Sequence, residues 1–208
     1  MSNTMLETTR IGLYPTPDQQ QKLAVQFGCA RWGFNNALAL TQQTCREAGK
    51  SLSYHALAVR LPGLKQEFEW LKEADSQVLQ QSLQNLALAF DGFFARRVRY
   101  PRFKSKHGRR SIQYPQRAKL EGNHIYLPKV GWVKGIVHRG IVGKFKTVTI
   151  SRNACGQFHA AILTDTGLPM PSVSTAGKTL GIDVGLVDLA VTSDGSKFTN
   201  PRHIRICS

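Results

Sequence analysis

Between Asp75 and Phe94 the apolar positions return at helical spacing: Leu79, Leu83, Leu86, Phe90 and Phe93 follow at intervals of four, three, four and three. Asp75 or Ser76 is placed to cap this helix, and Gln77, Gln80, Gln81, Gln84 and Asn85 fill its other face. The stripe predicts a helix packed in a bundle. The amides read either as a solvated face or as groups able to meet base edges. Upstream, residues 5–14 read as a short strand ending at Leu13-Tyr14-Pro15. Thr16-Pro17-Asp18-Gln19 has the form of a helix start, with a capping threonine, a proline in the first turn and a glutamine three after the cap. Leu23 and Phe27 continue that helix to Gly28, where the pattern predicts a break. A second helix, with Ala30, Phe34, Ala37, Leu38 and Thr41 on one stripe, runs to near Gly49. Helix, glycine, helix admits two readings, a helix-turn-helix or a helical hairpin packed on its neighbours. Ser51-Leu52-Ser53 then caps a short helix through Tyr54, Leu57 and Val59, which Pro62-Gly63 is expected to end.

From Arg96 onward the period changes. Short strands are predicted at Ser111 to Tyr114, Ala118 to Leu120 and His124 to Leu127, then over 130–138, 145–152 and 157–164. Glu121-Gly122-Asn123 and Asn153-Ala154-Cys155-Gly156 are turns between them. Short strands at this spacing suggest a small barrel or a curled sheet. Residues 167–177, bearing proline, serine and threonine, read as a linker. Beyond it, Leu180-Gly181-Ile182-Asp183-Val184-Gly185 reads as an apolar strand presenting one carboxylate. Leu189-Ala190-Val191-Thr192, the turn Ser193 to Ser196, and Lys197-Phe198-Thr199 make a hairpin. The fold class is α+β.

Charge sharpens this picture through its placement. The chain of 208 residues has a formal net charge of +15, yet residues 1–95 are balanced in charge. The stretch 96–146 holds fifteen Lys and Arg against the single acid Glu121. Such a footprint suits a polyanion, nucleic acid first; its alternative is a solvated basic loop. Within it Arg96-Arg97-Val98-Arg99-Tyr100-Pro101-Arg102-Phe103-Lys104-Ser105-Lys106, with Arg109 and Arg110, interleaves cations with aromatics. The cations can neutralise phosphates and Tyr100 or Phe103 can stack on exposed bases.

Cys29, Cys45, Cys155 and Cys207 are scattered without a paired spacing, so they read as reduced thiols and no zinc site is expected. No apolar run of membrane-spanning length occurs, and residues 1–10 lack a signal-peptide core, so a cytoplasmic protein is expected.

Several segments, met in order, resemble the N-terminal half of the TnpB (OrfB) family of insertion-sequence proteins. They are Leu13-Tyr14-Pro15-Thr16-Pro17, Gly28-Cys29-Ala30-Arg31 with Phe34-Asn35, Ser51-Leu52-Ser53-Tyr54, Trp70-Leu71-Lys72-Glu73 and Leu79 to Leu86. Phe93-Phe94, Tyr100 to Lys104, Leu127-Pro128-Lys129-Val130-Gly131 and Gly181-Ile182-Asp183-Val184-Gly185 follow. The resemblance implies a transposon-encoded, RNA-guided DNA endonuclease, named in the family as a transposase. It implies a first strand over 1–17 of a small β-barrel (a wedge domain), a helical recognition insertion over 18–100, the rest of the barrel over 101–166, a linker over 167–177, and the start of a RuvC-like, ribonuclease-H-type nuclease domain over 178–208. The implied partners are a guide RNA from the chain's own transposon and a DNA target beside a short motif. Tyr54, Gln80 and the basic stretch 96–110 are the positions implied to contact them. Asp183 matches the first of three carboxylates that hold two Mg²⁺ ions in the family; its alternative is a structural aspartate. The later carboxylates and a four-cysteine zinc motif are not present, which implies a truncated chain unable to cleave alone, or a nuclease-dead module acting as repressor or antagonist. A three-stranded start of a nuclease sheet is expected to leave apolar faces open, making the tail from 178 disordered or adhesive.

Overall fold

The computed structural model describes residues 4–49, 51–108, 110–170 and 180–201. The chain divides into two units, Met1–Met170 and Pro171–Ser208.

In the first unit, alternating burial builds one antiparallel sheet. Its strands are β1 Thr4–Tyr14, β2 Arg110–Tyr114, β3 Lys119–Glu121, β4 His124–Leu127, β5 Gly131–Ile136, β6 Lys144–Arg152 and β7 Phe158–Pro169. They lie in the order β2-β6-β7-β1-β5-β4-β3. The first strand of the chain is therefore central, paired with β7 through Leu13↔Phe158 and with β5 through Tyr14↔Lys134. Ile11, Leu13, Ile112, Tyr114, Ile125, Leu127, Val133, Val148, Ile150 and Ile162 point inward and are buried together. Of the two expected forms the sheet takes the curled one. Strands β2 and β3 are edges, and among the described residues no ladder joins them to close a barrel.

Helix α1, Pro17–Ala48, fills the inner face of the sheet with Leu23, Phe27 and Ala30. Its start follows the sequence pattern: Thr16 Oγ1 accepts from the Gln19 backbone N–H and the Gln19 side chain accepts from the Thr16 N–H. The expected break at Gly28 is absent, and the helix runs unbroken for 32 residues, about 48 Å. A mid-helix glycine costs about 1 kcal/mol. Here the turns on either side are held in two different cores, Leu23 and Phe27 against the sheet, Phe34 and Leu38 among helices, and that packing outweighs the glycine. The turn falls at Gly49 instead, in the left-handed conformation with φ 67.

Ser53 caps α2, Tyr54–Ala58. α2 ends ahead of Pro62-Gly63 as expected, but these two residues open the next helix rather than break the chain. Pro62 lies in the first turn of α3, Leu61–Glu67, where a missing N–H is tolerated. A 3-10 turn, Glu69–Glu73, leads to α4, Ser76–Phe94, N-capped by the buried Asp75. Leu79, Leu83, Leu86 and Phe90 bury the predicted stripe against α1, α2 and α3. Asp75 also binds Arg117 (2.9 Å), and its N–H donates to Gln26 Oε1, which ties the start of α4 to α1 and to the β2–β3 connection.

The second unit shows β8 Ile182–Asp183, β9 Asp188–Thr192 and β10 Lys197–Thr199 in the antiparallel order β10-β9-β8. Asp194 shapes the turn between β9 and β10 by accepting from Thr192 Oγ1 and the Ser196 N–H. Ile182, Val184, Leu186, Val187 and Phe198 are exposed there. Most of the predicted linker, and both ends of the tail assigned to 178–208, lie outside the described residues.

Candidate nucleic-acid interface

Where α4 ends, the chain must leave a helix and enter a sheet, and the basic stretch does this. After Phe94 and the cap residue Ala95, Arg96 takes the left-handed region, φ 57, while the Arg96 and Arg97 N–H groups donate to the Phe93 and Gly92 carbonyls. The side chain of Val98 folds back so closely on Gly92 that a β-carbon there would collide with it. Tyr100 stands edge-on to Phe90 (5.6 Å between ring centroids) and Phe93 (5.1 Å), so it is part of an aromatic cluster rather than a free platform. Phe103 is exposed and has no ring partner among the described residues.

Next, Asn35 of α1 fixes Lys104. Its Nδ2 donates to the Lys104 carbonyl (3.0 Å) and its Oδ1 accepts from the Lys104 N–H (2.8 Å). The Lys104 ammonium sits 4.0 Å from the centroid of Phe34, and burial there lowers its pKa. This clasp returns the chain beside α1 and opens a cleft of about 280 Å³ between α1, α4 and β2. Arg31, Lys104 and Arg110 supply its cations. An amide relay crosses from α4 to β2: Gln81 Nε2 donates to Asn85 Oδ1, and Asn85 Nδ2 donates to Gln113 Oε1, both at 3.1 Å. Gln77 donates likewise to Gln116. Part of the amide face of α4 is thus turned toward the sheet rather than to solvent.

Two further hollows, of about 530 and 120 Å³, share Arg110 with the cleft. One is lined by His107, Arg110, Arg152 and Asn153, the other by Arg31, Lys106, Arg110, Arg152 and Phe158. The Arg152 guanidinium lies over the Phe158 ring at 5.3 Å. Among the described residues, none of Arg31, Lys104, Lys106, Arg110 and Arg152 is in an ion pair. An acid-free cleft with forked guanidinium donors is suited to phosphates.

The predicted site residues therefore separate. Lys104, Lys106 and Arg110 line these cavities. Arg96, Arg97, Arg99, Arg102 and Phe103 are exposed on the segment leading to them. Arg109 lies outside the described residues. Tyr54 opens α2 and packs on the helical core, and Gln80 is exposed on α4; the cleft is lined by its neighbours Gln81 and Asn85. Arg31 and Arg152 are additions to the sequence reading. Arg31 is a lone charge far from the dense stretch and Arg152 lies just beyond its end, and only the folded chain brings both to Arg110.

Asp183 is exposed on β8. Asp194 is committed to its turn, and among the described residues no three of His, Cys, Asp and Glu gather as metal ligands. These residues do not compose a two-metal carboxylate set. Cys29 is buried and Cys155 exposed, both as free thiols, and Cys207 lies outside the described residues. No described helix is long and apolar enough to cross a membrane.

A curled sheet and a helical layer meet at a basic cleft whose cations, among the described residues, have no acidic partner. Comparison with known proteins is more specific. Residues 1–50 match a family described as "Helix-turn-helix domain", of the OrfB/IS605 type. A protein of Escherichia coli (strain K12) named "Putative RNA-guided DNA endonuclease InsQ" is 35% identical over 197 residues, covering 93% of this chain and 48% of its own. A "Putative RNA-guided DNA endonuclease" of Streptomyces pristinaespiralis is 34% identical over 203 residues, 92% of this chain and 49% of its own. "Virulence protein VsdF" of Salmonella dublin is 36% identical over 116 residues, 50% of this chain and 98% of its own. The chain belongs to the TnpB (OrfB) family of insertion-sequence proteins. It spans about half the length of the two endonuclease relatives.

Proposed function

We propose that this chain is the nucleic-acid-binding portion of a transposon-encoded, RNA-guided DNA endonuclease, holding a guide RNA and engaging a DNA target through its first unit. The observation that carries the reading is the cleft: Arg31, Lys104, Arg110 and Arg152 come from four separate segments and converge with no acidic partner among the described residues. The guanidinium groups take phosphates, and the amides of Gln81, Asn85 and Gln113 offer donors and acceptors to base edges or 2′-hydroxyls. Three β-strands carrying Asp183 are in this reading the opening of the RuvC-like nuclease domain. Because two-metal phosphodiester cleavage needs several carboxylates and Asp183 supplies one, the chain acts by binding, and its cleavage chemistry requires acids additional to those described.

The test is binding of the purified chain to RNA transcribed from its own locus, against a scrambled RNA of equal length, across a salt series. Locus RNA should bind at least tenfold tighter and keep that margin at moderate salt. Equal affinities that fall together as salt rises leave only unspecific attraction to the basic stretch, and the guide-RNA reading fails.

A further inference from the structure

The outer face of the sheet carries chemistry that the cleft does not use. Along β5, Val133 points into the core while Trp132 and Lys134 point out; along β4, Ile125 and Leu127 point in while His124 and Tyr126 point out. The ladders place these outward residues in two adjacent rows. In one, Trp132 of β5 is opposite Tyr126 of β4, which is opposite Lys119 of β3. In the other, Tyr14 of β1 is opposite Lys134, which is opposite His124. Adjacent strands stand about 4.8 Å apart, so each cation borders an aromatic ring.

These aromatics are not there to cover apolar surface. Tyr14 is 57% exposed and Trp132 42%, although tyrosine and tryptophan of this size normally bury against a core when one is within reach. Trp132 and Tyr126 lie 5.4 Å apart, tilted by 58°. The tryptophan is held in place from behind: the Gln19 side chain, already part of the α1 cap, donates to the Trp132 carbonyl at 2.7 Å. The hairpin leading into β5 is fixed by left-handed backbone at Lys129 (φ 67) and Gly131 (φ 97). In these two rows the only acid is Glu121, beside His124. Rigid rings interleaved with cations on a sheet, Trp132 and Tyr14 exposed and Tyr126 half-buried beside Trp132, suit unpaired bases, whose faces stack on the rings while phosphates meet the lysines.

We propose that this outer face is a second binding surface, for single-stranded nucleic acid, with Trp132 and Tyr126 as the stacking pair and Lys119 and Lys134 as phosphate contacts. It rests on the nucleic-acid reading of the chain and is separate from the cleft, whose residues lie on α1, α4, β2, the end of β6 and the loops flanking them.

The experiment measures affinity of the full chain for labelled twelve-nucleotide oligothymidylate, oligouridylate, an abasic strand of the same length, and a duplex. Oligothymidylate or oligouridylate should bind better than the abasic strand, and the stronger of the two tells whether DNA or RNA is the natural source of the bases. Trp132→Ala should weaken single-strand binding roughly tenfold and leave the duplex unchanged. If the alanine variant does not fold, Trp132→Phe puts the same question by fluorescence: the quench seen on adding oligothymidylate should vanish with the indole while anisotropy still reports binding. Equal affinity for the abasic strand, equal losses on single strand and duplex, or a quench that persists in Trp132→Phe would each overturn the proposal. An Arg31→Ala/Arg110→Ala variant separates the two readings. If it loses duplex binding while the Trp132 variants change nothing, the outer-face surface is wrong and the cleft stands. If the unaltered chain binds none of the four probes, both are wrong.

Discussion

Arg96 holds a left-handed backbone that glycine would occupy without strain, at the residue where α4 closes with paired N–H bonds from Arg96 and Arg97. Its position is thus structural whatever its side chain meets. Arg96→Gly should raise stability by about 1 kcal/mol in a denaturant melt. If the guanidinium also binds a phosphate, the same variant should flatten the salt dependence of binding by about one charge. Stability up and slope down together would assign both roles, and a loss of stability would refute the backbone account. Two buried acids add a second expectation. Burial raises the Cys29 thiol from 9.0 to about 11, with the Glu73 carboxylate adding to the shift, and burial raises the Tyr114 phenol above 10.0, with Asp75 adding to it. Each holds its proton more tightly folded than unfolded, so its contribution is complete below the unfolded pKa and declines as pH rises. Stability should therefore fall from about pH 9 toward 11, and Cys29→Ala should remove the earlier part of that fall. A flat profile across that range would contradict the burial of both groups.

Helix α1 offers the sharpest test of an element. A β-carbon at Gly28 would meet nothing within 4 Å, and the helix passes through it. Gly28→Ala should therefore stabilise the chain by about 0.5–1 kcal/mol, read as a higher Tm. A glycine serving as the turn of a helix-turn-helix would give the opposite sign. The same residue marks where reading from sequence stops working. The capping box at Thr16, the stripe of α4, the hairpin turns at Asn153 and Ser193 and the strands themselves are local patterns, and each appears where its pattern lies. Gly28 is also a local signal, but long-range packing decides its outcome, since α1 is anchored in two cores at once; Pro62 is a local signal of the other kind, a helix start rather than a stop. The cleft was legible only in part for the same reason. Lys104 and Arg110 belong to a dense basic run, whereas Arg31 and Arg152 join them through contacts that span the whole first unit. Nor does any local pattern reveal that Gln81 and Asn85 face Gln113 rather than water.

At the scale of the molecule, charge and acid sit in different units. The cations of the cleft all belong to Met1–Met170, and Asp183 belongs to Pro171–Ser208. This division predicts that binding and any cleavage chemistry respond to different substitutions. Removing Arg31, Arg110 and Arg152 together should lower the slope of log affinity against log salt by about two to three on duplex DNA, because each guanidinium that meets a phosphate releases roughly one counterion. Asp183→Ala should leave both affinity and slope within error of the unaltered chain, since it removes an exposed carboxylate and no cation. A filter-binding series between 50 and 200 mM salt, on the order of the range over which such effects are read, decides it. If Asp183→Ala weakens binding as much as the triple variant does, the two units share one nucleic-acid surface and the assignment of binding to the first unit alone is wrong. If the triple variant keeps the full slope, the phosphates are held elsewhere, by the exposed run from Arg96 to Arg102, and the cleft between α1, α4 and β2 is a packing feature of the clasp between Asn35 and Lys104.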